Sequence, residues 1–323
     1  MLRKIVNALA LSALMLSPVA ASAQDYPTRT VKIIVPFAAG GPADIYARFL
    51  AQRLQESLKQ PFVVEDRPGA GSIIGTDLAA KSPPDGYTLL LISNTHTVNE
   101  SLFAKKPYKL LRDFEPIAPI NYSDLVLVVN PSVPVNTLED LIKLAKSKPG
   151  ALTFASSGPG TPYHMAGELF NAMAGISILH IPYKGSSGAR TAVLGGQVNM
   201  MFDAVTTMSG FAKQGKVKAL GTTGKTRSSV LPNVPTMSEA GVPGYQAVIW
   251  LGLVAPKNTP AAIVDKLNAE VTRIASLPET RAIWAKQGAN PMIMTPKAFT
   301  EFIQGDIKKW AHVVKISGAR VDR

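Results

Sequence analysis

The 323-residue chain contains no cysteine, which removes disulfide frameworks, thiolate metal sites and cysteine nucleophiles together. Charge is also sparse: 17% of residues are charged and 46% are hydrophobic, a balance that excludes an intrinsically disordered chain. Acidic residues are the scarcer sign, 22 against 34 basic, for a net charge of +12. Basic runs nevertheless stop at pairs such as Lys105-Lys106 and Lys308-Lys309. A nucleic-acid footprint is a patch or stripe, so the excess reads as a solvated surface that steers anions mildly. Only four histidines are present, His96, His164, His180 and His312. None is spaced i, i+4 with another and no acidic loop has EF-hand form, so no protein-built metal site and no cofactor are expected. After the N-terminal leader no long apolar run remains. The long uncharged stretch at 241–255 is broken by Pro243 and Gly244, and a membrane span needs about 20 apolar residues.

The leader reads as an address. Arg3 and Lys4 precede an apolar segment at 5–16, and Ala21-Ser22-Ala23 forms a small-x-small cleavage signature. A secretory signal peptide over 1–23 follows, with a mature chain starting at Gln24 and a periplasmic destination.

The 25 prolines and 25 glycines are dispersed, as in a chain of many short connections between strands and helices. Strands are expected at 31–35, 62–65, 88–93 and 125–129, with helices at 43–58 and 73–81. Apolar runs without alternation suit a buried parallel sheet. The pattern restarts at Thr137, which with Asp140 makes a capping-box-like helix start. Helices at 138–148, 165–174, 189–194 and 204–214 then alternate with strands at 152–155, 178–181, 199–202 and 217–222. A late strand at 248–254 and two helices opening on Thr259-Pro260 and Thr295-Pro296 complete the chain. The restart and the lone late strand indicate a middle domain (126–247) inserted into an outer one (24–125 plus 248–323), with two strands crossing between them.

Three Gly-rich loops each join a strand to a helix: 36–42, 156–161 and 184–188. Such loops let backbone N–H groups and a helix N-terminus meet a carboxylate or phosphate. Gly69, Gly71 and Gly75 loosely resemble a dinucleotide loop, but no acid follows about 20 residues on, as that motif requires. Ser157 with His164 is a candidate Ser/His pair for an extracytoplasmic hydrolase, although Ala155 stands where a nucleophile elbow needs Gly.

Ordered blocks then carry a family resemblance. They include Val35-Pro36-Phe37-x-Ala39-Gly40-Gly41-x-x-Asp44, Arg67-Pro68-Gly69-Ala70-Gly71 and Pro84-Asp85-Gly86-Tyr87. Ser157-Gly158-x-Gly160-Thr161-x-x-His164, Pro182-Tyr183-Lys184-Gly185 and Met201-Phe202-Asp203 follow. With these the chain resembles the Bug family of periplasmic solute-binding proteins, the substrate-binding components of tripartite tricarboxylate transporters. The resemblance implies an α/β fold of the two-domain Venus-flytrap, type II-like class, with a small organic carboxylate bound in the interdomain cleft without chemistry. It also implies membrane-integral transporter subunits or a sensor as partners, no nucleic acid, and a monomer. Ligand contacts are expected from Phe37, Ala38, Ala39 and Gly40, from Ser93 and Asn94, from Ser157, Gly158, Gly160 and Thr161, and from His164 and Asp203. Asn94 to His96 and Ser186 to Ala189 are the expected distal pocket that sets selectivity.

Overall fold

A computed structural model describes residues 26–319; the expected signal peptide and its cleavage point lie outside the described residues. The chain alternates strands and helices from its start: β1 (Val31–Val35), α1 (Pro42–Leu58), β2 (Phe62–Asp66), α2 (Ile73–Ala80), β3 (Thr88–Ser93), α3 (Asn94–Leu102), α4 (Leu110–Asp113) and β4 (Phe114–Val129). There follow α5 (Leu138–Ser147), β5 (Thr153–Ser156), α6 (Pro162–Ala174), β6 (Leu179–Pro182), α7 (Ser186–Leu194), β7 (Met200–Ala204), α8 (Val205–Lys213) and β8 (Lys218–Thr222). The last part is β9 (Val248–Pro256), α9 (Ala261–Ser276), α10 (Pro278–Lys286), β10 (Ala289–Pro291) and α11 (Pro296–Ser317).

One curled sheet runs β2-β1-β3-β9-β4-β7-β5-β6, with β8 and β10 also paired to β4. Strand β4 joins its two halves. Residues from Phe114 to Asp124 pair with β9, and those from Leu125 to Val129 pair with β7 and β8. The return crossing is tied at Thr223: its N–H donates to Leu125 O, its Oγ1 accepts from the Leu125 N–H, and its O accepts from the Ala247 N–H just before β9. Ile249, near the start of β9, packs in the core of the second half.

Strands β1, β2 and β3 are parallel to one another, as are β5, β6 and β7. Apolar sequences such as VKIIV and MMFDA are buried on both faces because helices cover both sides of each half. Right-handed crossovers leave every strand-to-helix loop at the carboxyl ends of these parallel strands. The C-terminal helix α11 belongs to both halves: Phe299 and Ile303 pack in the first, while Trp310 and Val313 enter the core of the second.

Three local differences from the sequence expectations have physical causes. Strand β4 begins at Phe114 rather than 125, because register shifts between Pro116 and Ala118 and between Pro119 and Asn121 let β9 pair around residues that lack an N–H. Helix α3 starts directly at Asn94 because Ser93 and His96 cap it reciprocally: Ser93 Oγ accepts from Thr95 N–H, and His96 Nδ1 accepts from Ser93 N–H. At the two Thr-Pro starts the outcomes differ. Thr295 caps α11 through Ala298 N–H, whereas Thr259 Oγ1 donates to Pro256 O at 2.7 Å and caps nothing. The Thr137/Asp140 capping box at α5 forms as expected.

Candidate ligand-binding cleft

The loops at the strand carboxyl ends of the two halves meet and enclose a cavity of about 370 Å³. Contacts across the junction are close. Ser187 Oγ donates to Ala39 O at 3.2 Å, Tyr46 OH and Thr206 Oγ1 are 3.2 Å apart, and a Cβ at Gly185 would stand 2.5 Å from Ala38 Cβ. The protein is therefore in a closed arrangement, with loop 36–41 of the first half against the start of α7 in the second.

Helix N-termini surround the cavity. Pro42 and Ala43 of α1, Pro162 and Tyr163 of α6, and Ser186 of α7 all line it. Each helix end contributes about half a positive charge and unpaired N–H groups. The N–H groups of Ala38 and Ser157 have no acceptor within the chain among the described residues. Ser157 Oγ is buried without a hydrogen-bond partner.

Six of the expected contacts line the cavity: Phe37, Ala38, Ser93, Ser157, Gly158 and Thr161. The other six sit behind or beside it and hold the wall. Asp44 Oδ2 accepts from Gly40 N–H at 2.9 Å, which fixes the turn containing Ala39 and Gly40. Asn94 donates from Nδ2 to Val248 O. Gly160 gives its N–H to His164 Nδ1 at 3.1 Å, and a Cβ there would meet Asn99 and Leu102 of α3 rather than open space. Asp203 is fully buried in an ion pair, with Arg190 Nε at 2.7 Å and Ala204 N–H donating at 2.8 Å. Burial pushes the Asp203 carboxyl up, against the pull of Arg190. Thr161 lines the wall, but its hydroxyl donates to Gly158 O at 2.7 Å and is spent on the loop.

The histidines are structural in the same sense. His164 packs against His180 with ring centroids 4.1 Å apart and planes tilted by 32°, and His180 Nε2 is 2.6 Å from Ser156 Oγ, which accepts from Gly158 N–H. Two imidazoles thus pin the 157–161 loop from behind. Ser157 receives no hydrogen bond from His164, so the Ser157/His164 pair of the alternative hydrolase reading does not form. His96, expected in the distal pocket with Asn94 and Thr95, is fully buried against Thr76 and does not reach the cavity. Burial pushes His96 and His180 down to about 3, with His164 adding to the effect at His180. Ser186 does reach the cavity, whereas Ser187, Gly188 and Ala189 do not.

Sequence reasoning passed over the loop from Pro68 to Ser72 as a contact, although its Gly69-x-Gly71 spacing was the available signal. Phe103, Ile249 and Leu251 also line the cavity. Nothing local in the sequence marks them, since each looks like an ordinary core residue.

A curled α/β sheet in two halves, with strand carboxyl ends facing one another over a cleft, is the architecture of a solute-binding protein. The model of the tripartite tricarboxylate transporter family receptor matches residues 46–319, and the chain belongs to that family. Protein BugT of Bordetella pertussis is 41% identical over 302 residues, 93% of each chain. Among solved structures, R. palustris Rpa4515 with adipate superposes at a TM-score of 0.89 with 33% identity, over 91% of this chain and 99% of that one. MatC from Rhodopseudomonas palustris with bound malate gives a TM-score of 0.85 with 32% identity, over 90% and 100% respectively.

Proposed function

We propose that this protein captures a small organic carboxylate between two domains, 24–125 plus 248–323 and 126–247, and hands it unchanged to membrane-integral transporter subunits or to a sensor. The carrying observation is the cleft itself: Ala38 and Ser157, whose N–H groups have no acceptor within the chain among the described residues, line it beside three helix N-termini, and the buried Ser157 hydroxyl is unpartnered. Negative charge is what such a constellation stabilises. Adipate in Rpa4515 and malate in MatC are ligands of this chemistry. Binding without turnover is favoured because, among the described residues, the Ser/His pair joined side chain to side chain, Ser156 with His180, is set back from the cavity wall. Export proceeds through a signal peptide removed after Ala23, and the mature chain acts as a monomer.

A thermal-shift screen of organic acids tests the reading. At 100 times the dissociation constant, linkage stabilises by about 2.7 kcal/mol, which raises the melting point by about 5 to 10 °C. A broad panel in which no carboxylate moves the transition would refute it.

A further inference from the structure

The chemistry of the cavity wall sorts carboxylates further, on the footing that the cleft binds a carboxylate. Among the described residues Lys184 is the one charged side chain lining it, and no Asp, Glu, Asn, Gln, Arg or His joins it. Six prolines line the wall, together with Phe37, Phe103, Ile249, Leu251 and the rings of Tyr163 and Tyr183. Hydroxyl side chains line it as well, from serine, threonine and the two tyrosines. Of these, Thr161 Oγ1 donates to Gly158 O, and Ser93 Oγ accepts from Thr95 N–H.

Backbone N–H groups, helix ends and these hydroxyls suit carboxylate oxygens, and no carboxylate side chain stands among them. An ammonium group entering this cavity would lose its water and meet no carboxylate. Burying that charge unpaired is unfavourable. Hydrocarbon suffers no such loss and gains from leaving water. Charge limits the ligand as well. Three helix N-termini at about half a charge each, with Lys184, offset one or two carboxylates and leave a third in apolar surroundings.

We infer that the ligand carries one or two carboxylates on a largely hydrocarbon body, aliphatic or aromatic, with no amino group. The cleft then selects against amino acids and tricarboxylates.

Calorimetry on matched pairs tests this. The pairs are 3-phenylpropionate with phenylalanine, adipate with 2-aminoadipate, and succinate with aspartate; citrate stands as the tricarboxylate. The hydrocarbon member of at least one pair should bind, and wherever a pair binds it should do so at least tenfold more tightly, with citrate weaker still. The Phe103→Ala variant should weaken the hydrocarbon acids about tenfold while its ligand-free melting point stays near that of the parent. An amino acid or citrate binding as tightly as the hydrocarbon acids would overturn the inference and leave carboxylate binding intact. So would unchanged affinity in Phe103→Ala. If no acid of any kind binds, the carboxylate reading itself fails and the inference falls with it.

Discussion

Replacing Gly185 by alanine should separate closure from folding. The added Cβ would lie 2.5 Å from Ala38 Cβ, whereas carbon atoms settle at about 3.5 to 4.0 Å, so the two loops must part by about 1 Å. Gly185 itself has φ 166°, extended backbone that alanine adopts without strain. Ala38 and Gly185 belong to opposite halves, and the clash is relieved by opening the junction rather than by unfolding either core. Overpacking of this kind costs about 1 to 3 kcal/mol, here charged to the closed state alone. At about 1.4 kcal/mol per decade, affinity should fall by about 5- to 150-fold. The assay is calorimetry with whichever acid gives the largest thermal shift, beside ligand-free melting and small-angle scattering. Gly210→Ala is the control, since that helical position has nothing within 4 Å of an added Cβ. It should keep full affinity and gain about 0.5 to 1 kcal/mol of stability. A Gly185→Ala protein that binds as tightly as the parent would refute the closure reasoning.

Ser157→Ala removes a buried hydroxyl with no partner in the ligand-free fold. Ligand affinity should drop by about 1.5 to 3 kcal/mol, as for a bond to a charged group, with the ligand-free melting point unchanged or higher. Calorimetry and melting on the same preparations check both halves of that statement. Low pH should destabilise the fold through His96 and His180, which burial holds at about 3. Both are neutral when folded but take a proton near pH 6.5 when unfolded. Their contribution is thus whole above about pH 6.5 and is lost as pH falls towards 3. Melting followed from pH 7 to 4 should decline, and less steeply in His180→Gln. Asp124, at the point where β4 passes from one half to the other, has the opposite sign. Burial raises its carboxyl to about 6, so its contribution is present at low pH and lost as pH rises through 6. Asp124→Asn should therefore melt higher than the parent at pH 7.5 and about equal to it at pH 4.

The strands around Ile33, Leu90 and Leu127 were legible because apolar runs on both faces leave a buried sheet as the simplest reading. The Gly-rich loops were legible for a similar reason: glycine at a strand-to-helix turn admits few geometries. Neither signal could tell which groups face the ligand. Asp203 looks like a pocket acid until Arg190, on the preceding helix, closes an ion pair with it. Gly160 looks like a ligand approach, yet its φ of +74° and its closeness to Asn99 and Leu102 serve the contact with α3. The first half of β4 was hidden by Pro116 and Pro119, since single-strand pattern cannot anticipate a partner that shifts register around them. Phe103 and Ile249 become cavity residues only when two distant halves close.

The most direct test of the account is a crystal structure with a bound hydrocarbon acid such as 3-phenylpropionate or adipate. One carboxylate should lie within about 2.7 to 3.1 Å of the backbone N–H groups of Ala38 and Ser157, with Ser157 Oγ donating to it. Its hydrocarbon should rest among Phe37, Phe103, Ile249 and Leu251. A carboxylate held by Lys184 outside the cavity, or an acid bound elsewhere while Ser157 keeps no partner, would contradict the account.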